Sequence, residues 1–184
     1  MGDAERASTS ARYLAAGGAG GDAWAAEARA EGRRGTQRIV QAGEVPAPEL
    51  VAVRLGVEPG QAVIARRRIM YADDEPCELT DTYYPASIAR GTALAATAKI
   101  RGGAVRLLAE LGHVGAWAEE DVTARLPTPE EATTLAVSEA DPLLQLVRRT
   151  EDADHRAIQL DVMAMVPGRQ RLRYRFRAGD RDAR

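Results

Sequence analysis

An alternating stretch between residues 57 and 85 constrains the fold more strongly than any other part of the sequence. Two runs with strand composition flank residues 72–75, a polar segment suited to a turn. This pattern predicts a β-hairpin. Because alternate residues of a strand share a face, we expect Arg66, Arg68 and Met70 on one face of the first strand.

The returning strand places a second polar set on one side of the hairpin, namely Glu78, Thr80 and Thr82. Guanidinium groups beside hydroxyls and a carboxylate suit an anionic or polyhydroxyl ligand. A solvated outer face with ordinary cross-strand ion pairs explains the same residues. The residues alone leave both interpretations open.

Composition indicates one globular domain of ordinary type. The chain has 184 residues, of which 45% are apolar, so it is long enough to bury a core. Its formal net charge is −2. Binding to duplex DNA requires a basic face, so we do not expect this segment alone to hold DNA.

The sequence lacks the usual signatures of catalysis, metal binding and membrane insertion. Cys77 is the only cysteine, and its place in a predicted strand favours a small buried side chain. His113 and His155 are isolated, so no metal, no cofactor and no catalytic residue is predicted. No apolar run has transmembrane length and no signal pattern is present, which predicts a cytoplasmic protein with no membrane partner.

The remaining strands are joined mostly by hairpins, with short helices inserted between some of them. The strand candidates lie at 38–45, 120–126, 143–150, 158–166 and 172–176, and the alternation of 120–126 predicts a half-buried strand. Helix candidates lie at 22–31, 48–55, 103–111 and 128–136; Gly56 ends the second, and Thr128 and Glu131 predict a capping box for the last. With the hairpin, this predicts an α+β domain with a mostly antiparallel sheet of roughly six strands and helices packed on one side. No internal repeat and no second core are visible. Arg171, Arg173 and Arg175 share a strand face, which is more typical of a charged edge strand than of a nucleic-acid contact.

Several short sequence motifs, in a fixed order, resemble those of a known protein family. They are Val45-Pro46-Ala47-Pro48, Leu55-Gly56-Val57, Pro59-Gly60, Arg67-Arg68, Asp74-Glu75-Pro76, Tyr83-Tyr84-Pro85, Leu107-Leu108, residues 124–128, Pro142-Leu143-Leu144, Arg148-Arg149 and residues 173–176. Together they resemble the UTRA domain of GntR-type bacterial transcription regulators of the HutC subfamily. The resemblance covers residues 13–176.

The resemblance implies a chorismate-lyase-like α+β fold that binds a small-molecule effector, an anionic or polyhydroxyl metabolite, and forms a homodimer. It places that domain at residues 12–178, between a disordered tail or expression remnant at 1–11 and a C-terminal tail at 179–184. In such regulators a winged helix-turn-helix precedes this domain and contacts DNA. That DNA-binding domain is expected to be missing from this chain.

Carried over by position, the predicted ligand-binding residues are Arg66, Arg68, Glu78, Thr80, Thr82, Gln159 and Asp161. Several positions depart from the family pattern. Thr80 and Gln159 stand where many members have an acidic residue, and Met70 stands where a second arginine is common. These departures argue against a phosphosugar and leave the ligand class open. An enzyme of chorismate-lyase type and a dimerisation module with a vestigial pocket are the alternatives.

Overall fold

The computed structural model describes residues 7–8 and 23–175, with side chains described from 24 to 174. Its strands are β1 (Ala7–Ser8), β2 (Gly35–Pro46), β3 (Ala62–Ala72), β4 (Glu75–Pro85), β5 (Trp117–Arg125), β6 (Leu143–Glu151), β7 (Ala157–Met165) and β8 (Tyr174–Arg175). β2 to β7 form one antiparallel sheet in the order β2-β3-β4-β7-β6-β5. The predicted six-stranded α+β fold is therefore confirmed, but its helices pack against both faces of the sheet and not on one side as predicted.

Five short helices connect these strands. They are α1 (Ala23–Ala30), α2 (Glu49–Leu55), α3 (Ala86–Ala89), α4 (Ala104–Glu110) and α5 (Pro129–Leu135), with a 3-10 turn at Ala93–Ala95. The capping box predicted for α5 is present, because Thr128 accepts from the Glu131 amide and Glu131 accepts from the Thr128 amide. None of the described helices is long and apolar enough to cross a bilayer.

The predicted hairpin is β3 and β4, joined by Asp73 and Asp74. Both joining residues have positive φ, at 51° and 70°. Two such residues match the twist of a hairpin, as in a type I′ turn. In the resulting register Arg66 faces Thr82 and Arg68 faces Thr80. The predicted sharing of one face by these side chains is confirmed.

One face of the sheet packs against α2 and α5 and is aliphatic. Below α2 lie Val63 and Leu160, and below α5 lie Ile69, Leu79 and other buried side chains. We call this surface the helix face. It contains part of the apolar core, and fully burying one such side chain stabilises the fold by about 1.5–3 kcal/mol.

The opposite face carries the predicted ligand-binding residues, and we call it the polar face. Trp24 of α1 covers its Met70 corner, and the region from α3 to α4 covers Ile64 and Tyr84. After β7 the chain returns across this face, where Leu172 packs near Leu146, Met163 and Met165. The polar residues of this face therefore lie between three apolar clusters, one at Trp24, one at Tyr84 and one at Leu172.

The sheet contains an internal repeat that the sequence analysis did not find. Strand, helix and hairpin follow one another twice, as β2-α2-β3-β4 and as β5-α5-β6-β7. The helix ends match closely, since Gly56 and Ala136, 80 positions apart, both adopt the left-handed conformation and donate to Ala52 and Ala132 respectively. The following loop repeats its hydrogen bonds at the same spacing.

The irregularities of the two hairpins also match. The β3–β4 register shifts after Met70 and leaves Cys77 without a partner, and the β6–β7 register shifts after Thr150 and leaves Ile158 without one. The strand order is symmetric about the β4–β7 pair, so a pseudo-two-fold axis passes between these strands. This matching of bulges assigns Arg148 as the counterpart of Arg68, and Gln159 and Asp161 as the counterparts of Glu78 and Thr80.

The expectation of no internal repeat is therefore wrong. The halves share caps, bulges and backbone hydrogen bonds, which many sequences satisfy, while most matched side chains differ. Gly56 against Ala136 and Met70 against Thr150 are examples. A repeat built in this way leaves little trace in residue identity.

Two further expectations need correction. The strand 120–126 was expected to be half-buried, yet β5 is an edge strand and is exposed along most of its length. The predicted strand at 172–176 is described only as β8, which pairs with β1 outside the main sheet. β1 also lies within the segment 1–11 expected to be a disordered tail, and the other residues of that segment lie outside the described residues, as do residues 179–184.

Candidate functional site

A row of side chains crosses the polar face, with one residue from each of the six strands. From β2 to β5 the row reads Ala42, Arg66, Thr82, Asp161, Arg148 and Glu120. Arg66, Thr82, Asp161 and Arg148 are at most 6% exposed. Burial of so many polar groups in one row requires that they satisfy one another or bind something else.

Arg66 holds a neighbouring segment in place. It is 4% exposed, and its terminal nitrogens donate to the carbonyls of Ala93, Leu94, Ala96 and Ala98. Burial lowers the pKa of this guanidinium from its ordinary value. Both terminal nitrogens therefore already have acceptors within the chain.

Arg68 begins a chain of hydrogen bonds that crosses three strands. Its Nη2 donates to Thr82 Oγ1 at 3.1 Å, and that hydroxyl donates to Asp161 Oδ1 at 2.7 Å. The other oxygen of Asp161 accepts from Gln159 Nε2 at 2.7 Å. The sequence-predicted residues Arg68, Thr82, Asp161 and Gln159 are thus brought together.

Glu78 and Thr80 form a second cluster on β4. Thr80 Oγ1 donates to Glu78 Oε1, and Gln170 Nε2 donates to Glu78 Oε2 at 2.7 Å. Loss of solvent raises the pKa of the Glu78 carboxyl from its ordinary value, although the hydrogen bond from Thr80 opposes that shift. The C-terminal segment is therefore connected to the candidate site through Gln170.

Two charged residues of the polar face escaped the sequence analysis. Arg148 Nε donates to Glu120 at 2.6 Å, and their side chains are 7% and 13% exposed. Tyr174 donates to the other oxygen of Glu120 at 2.8 Å. Arg148 lies on the same strand face as Leu144 and Leu146, an apolar context that masked it. The internal repeat would have indicated it, because Arg148 matches Arg68.

Within the described part of the chain, three buried side-chain atoms lack a hydrogen-bond partner: Arg68 Nε, Thr150 Oγ1 and Arg149 Nε. The first two belong to the polar face, where Thr150 lies opposite Gln159. Arg149 lies on the other face and pairs with Glu151. A buried polar atom without a partner costs about 1–3 kcal/mol. Arg68 and Thr150 therefore carry a cost that a bound ligand would remove.

Two other regions contribute less. A cleft of about 590 Å³ lies at the end of α5, where it is lined by residues 136–138, 141–143, 166, 167 and 169. It contains none of the predicted site residues. Burial raises the pKa of the Cys77 thiol to about 12, which agrees with the predicted inert buried role. No cluster of three or more metal-binding side chains occurs among the described residues.

Buried charged groups on one face of a small sheet domain favour the class of ligand-binding domains. Comparison with known proteins makes the class specific, because the UTRA domain family matches residues 30–170. The chain therefore belongs to the UTRA domain family of GntR-type, HutC-like transcription regulators. It is the effector-binding domain of a regulator and not an enzyme, as predicted.

Individual relatives agree with this assignment. An HTH-type transcriptional regulator from Streptomyces coelicolor is 28% identical over 163 residues, which cover 86% of this chain and 61% of the relative. The chain thus spans about three fifths of the length of that curated relative.

Two solved structures share the fold. The ligand-binding domain of a GntR-family regulator from Bordetella bronchiseptica is 26% identical, with a TM-score of 0.63 over 78% of this chain and 87% of that one. The effector domain of PhnF from Mycobacterium smegmatis is 24% identical, with a TM-score of 0.67 over 78% of this chain and 88% of that one.

Proposed function

We propose that this chain binds a small polar metabolite on the polar face and passes the binding energy, as a homodimer, to a DNA-binding domain of a longer protein. The observation that carries the proposal is the buried chain of hydrogen bonds from Arg68 through Thr82 and Asp161 to Gln159. Its central members, Thr82 and Asp161, are 1% and 3% exposed.

The composition of the polar face supports a ligand-binding role over a structural one. A sheet face that served only to build a core would gain more from aliphatic side chains, as the helix face does. Buried charged groups cost stability unless they are fully paired. Arg68 and Thr150 remain incompletely paired. Local violations of good packing of this kind are expected where function requires them.

We assign direct contact with the effector to Arg68, Glu78, Thr80, Thr82, Gln159 and Asp161. Arg66 is better placed to fix residues 93–98 beside the site, because its terminal nitrogens already contact the carbonyls of that segment. Direct contact between Arg66 and the ligand stays a prediction.

Regulation follows from linkage. An effector shifts the balance between two arrangements of the dimer only by as much as it prefers one of them. By reciprocity, operator DNA must then change the affinity for the effector by the same factor. Calorimetry on the longer protein, with and without its operator, measures this factor. Equal effector affinity in both titrations would exclude the mechanism.

The proposal also includes a separate DNA-binding domain in the longer protein and a homodimer. The relative from Streptomyces coelicolor is named an HTH-type regulator and extends beyond the matched region, which supports a separate DNA reader. For the dimer, the exposed edge of β5 presents Trp117 and Val122, which are 58% and 44% exposed. Light scattering on the chain and on Val122→Lys tests this surface. A monomer in the variant alone supports it, and an unchanged dimer would place the interface elsewhere.

Effector binding is tested by thermal shift with a metabolite extract of Streptomyces coelicolor. A ligand that binds only the folded state raises the melting temperature. We expect Arg68→Gln to abolish the rise. Arg149→Gln is the matched control, since Arg149 also has an unpartnered Nε but lies on the helix face.

Three results would count against the proposal. The absence of any shift would favour the dimerisation module with a vestigial pocket. A shift that survives in Arg68→Gln would place the ligand away from the polar face. Loss of the shift in Arg149→Gln alone would move the site to the helix face.

A further inference from the structure

The charged side chains of the polar face that retain hydrogen-bonding capacity indicate the chemistry of the effector. This inference rests on the proposed function, since it concerns the ligand of the same site. Arg148 is neutralised by Glu120 in a buried pair. Arg66 donates to carbonyls of residues 93–98. Neither guanidinium is therefore the primary partner for a ligand anion.

Arg68 is the cation that retains binding capacity. Among the described residues its hydrogen-bond partner is Thr82, an uncharged hydroxyl, and its Nε has none. Nε of arginine donates and cannot accept. The ligand group that meets Arg68 must therefore be an acceptor, and a carboxylate fits the planar guanidinium well.

Asp161 is a buried carboxylate beside Arg68 that retains binding capacity. It is 3% exposed and accepts from Thr82 and Gln159, both uncharged. No ion pair involves Asp161 within the described part of the chain, and its two oxygens have lone pairs to spare. A buried carboxylate in this state is stabilised by a donor with positive charge, such as an ammonium group.

The guanidinium of Arg68 and the carboxylate of Asp161 are close together. Arg68 and Asp161 contact the same Thr82 oxygen, so they lie within two hydrogen-bond lengths of each other. Glu78 is separated from this pair by its own donors, Thr80 and Gln170, and burial raises the pKa of its carboxyl. A phosphate group near Arg68 would face the Asp161 carboxylate at short range, and like charges in a buried site repel strongly.

We propose that the effector is a compact zwitterion with a carboxylate and an ammonium on the same carbon, that is, an α-amino acid or a close derivative. Its carboxylate binds Arg68 and its ammonium binds Asp161. The hydroxyl of Thr150 lies one strand beyond Asp161, opposite Gln159, and has no partner. The side chain of the ligand therefore carries a hydrogen-bonding group that reaches Thr150.

Thermal shift and calorimetry on the 184-residue chain test this class with the twenty standard amino acids. The phosphate set is inorganic phosphate, glucose 6-phosphate and glucosamine 6-phosphate. We expect at least one polar amino acid to bind and the phosphates not to bind. For each amino acid that binds, the decarboxylated amine and the des-amino acid should each bind at least about tenfold more weakly to the unmodified chain.

Variants then assign the two ends of the ligand. Asp161→Asn should weaken binding of the amino acid by at least about tenfold, while binding of the des-amino acid should weaken less. Thr150→Val should remove the preference for polar over aliphatic side chains. Asp81→Asn is the matched control, because Asp81 lies on the strand next to that of Asp161 and pairs with Arg67 on the helix face.

Several outcomes would overturn the class while leaving effector binding intact. They are binding of the phosphate set in preference to amino acids, equal binding of an amino acid and its des-amino analogue, and equal affinity of the unmodified chain and Asp161→Asn. A shift with the metabolite extract but with no amino acid also overturns it. If the extract too gives no shift, the proposed function fails together with the ligand class.

Discussion

The two halves of the sheet have nearly the same backbone and very different side chains. Both begin with an edge strand and continue through a seven-residue helix into a bulged hairpin. Yet Arg66 in the first half corresponds to Leu146 in the second, and Thr80 corresponds to Asp161. The repeated backbone determines where side chains meet, while the unmatched residues create an asymmetric site on a symmetric frame.

The difference separates stability from recognition. The matched helix-end residues Leu55 and Leu135 are both buried and apolar. On the polar face Arg68 and Arg148 are alike, but Thr80 corresponds to Asp161, so the second half has a buried carboxylate where the first half has a hydroxyl. A ligand that spans the axis therefore meets two different surfaces.

The largest expected effect concerns a position at which the two halves of the sheet have the same residue. Leu55 and Leu135 are 5% and 0% exposed, so Leu55→Ala and Leu135→Ala should each lower the free energy of unfolding by about 3 kcal/mol. Urea unfolding of both variants measures the two costs. A difference of more than about 2 kcal/mol between them would show that the halves do not carry equal shares of the core.

The next effect concerns a position where the halves differ. Arg66→Leu gives the first half the residue that the second half has, and it removes the hydrogen bonds to the carbonyls of residues 93–98. We expect a loss of about 2 kcal/mol of stability. Amide exchange should accelerate selectively in residues 93–98. Uniform acceleration across the chain would contradict the local role of Arg66.

A smaller effect compares the two helix ends. Gly56 and Ala136 have φ of 68° and 52°, a region that costs alanine more than glycine. Ala136→Gly should therefore stabilise the protein by about 1 kcal/mol, and Gly56→Ala should destabilise it by a similar amount. Thermal unfolding of the single variants and of the double variant checks both signs. Destabilisation by Ala136→Gly would contradict the matched geometry.

The smallest effect is a change in pH dependence. Burial raises the pKa of Glu78 above its ordinary value of 4.5, so the folded state binds this proton more tightly than the unfolded state. The contribution of Glu78 to stability is thus complete below the ordinary pKa and declines as pH rises through the raised value. Glu78→Gln, which copies Gln159 of the other half, should remove this decline. A steeper decline in the variant would reverse the assigned direction.

Local chemistry made much of the fold predictable. The turn residues Asp73 and Asp74, the alternation of β3 and β4, and the capping box of α5 are encoded within a few residues of one another. These signals were sufficient to place Arg68 and Thr82 on one face of the predicted hairpin. The α2 end at Gly56 was predicted for the same reason.

Long-range contacts account for what the sequence did not reveal. The acceptors of Arg66 are 27 to 32 positions away, in a segment with no clear pattern. The roles of Arg148 and Thr150 depend on the register of β6 against β7, which no single strand specifies. The repeat itself is recorded in backbone geometry and becomes visible only when the two hairpins are compared in space.

The return of the chain across the polar face has a mechanical consequence. Gln170 contacts Glu78, Tyr174 contacts Glu120, and Tyr174 belongs to the short strand that pairs with β1 from the other end of the sequence. A displacement of β1 would therefore be transmitted through β8 to Glu120 and through the same C-terminal segment to Glu78, two carboxylates of the polar face. β1 and β8, which lie near the two ends of the sequence, are thus connected to the polar face on which we propose that the effector binds.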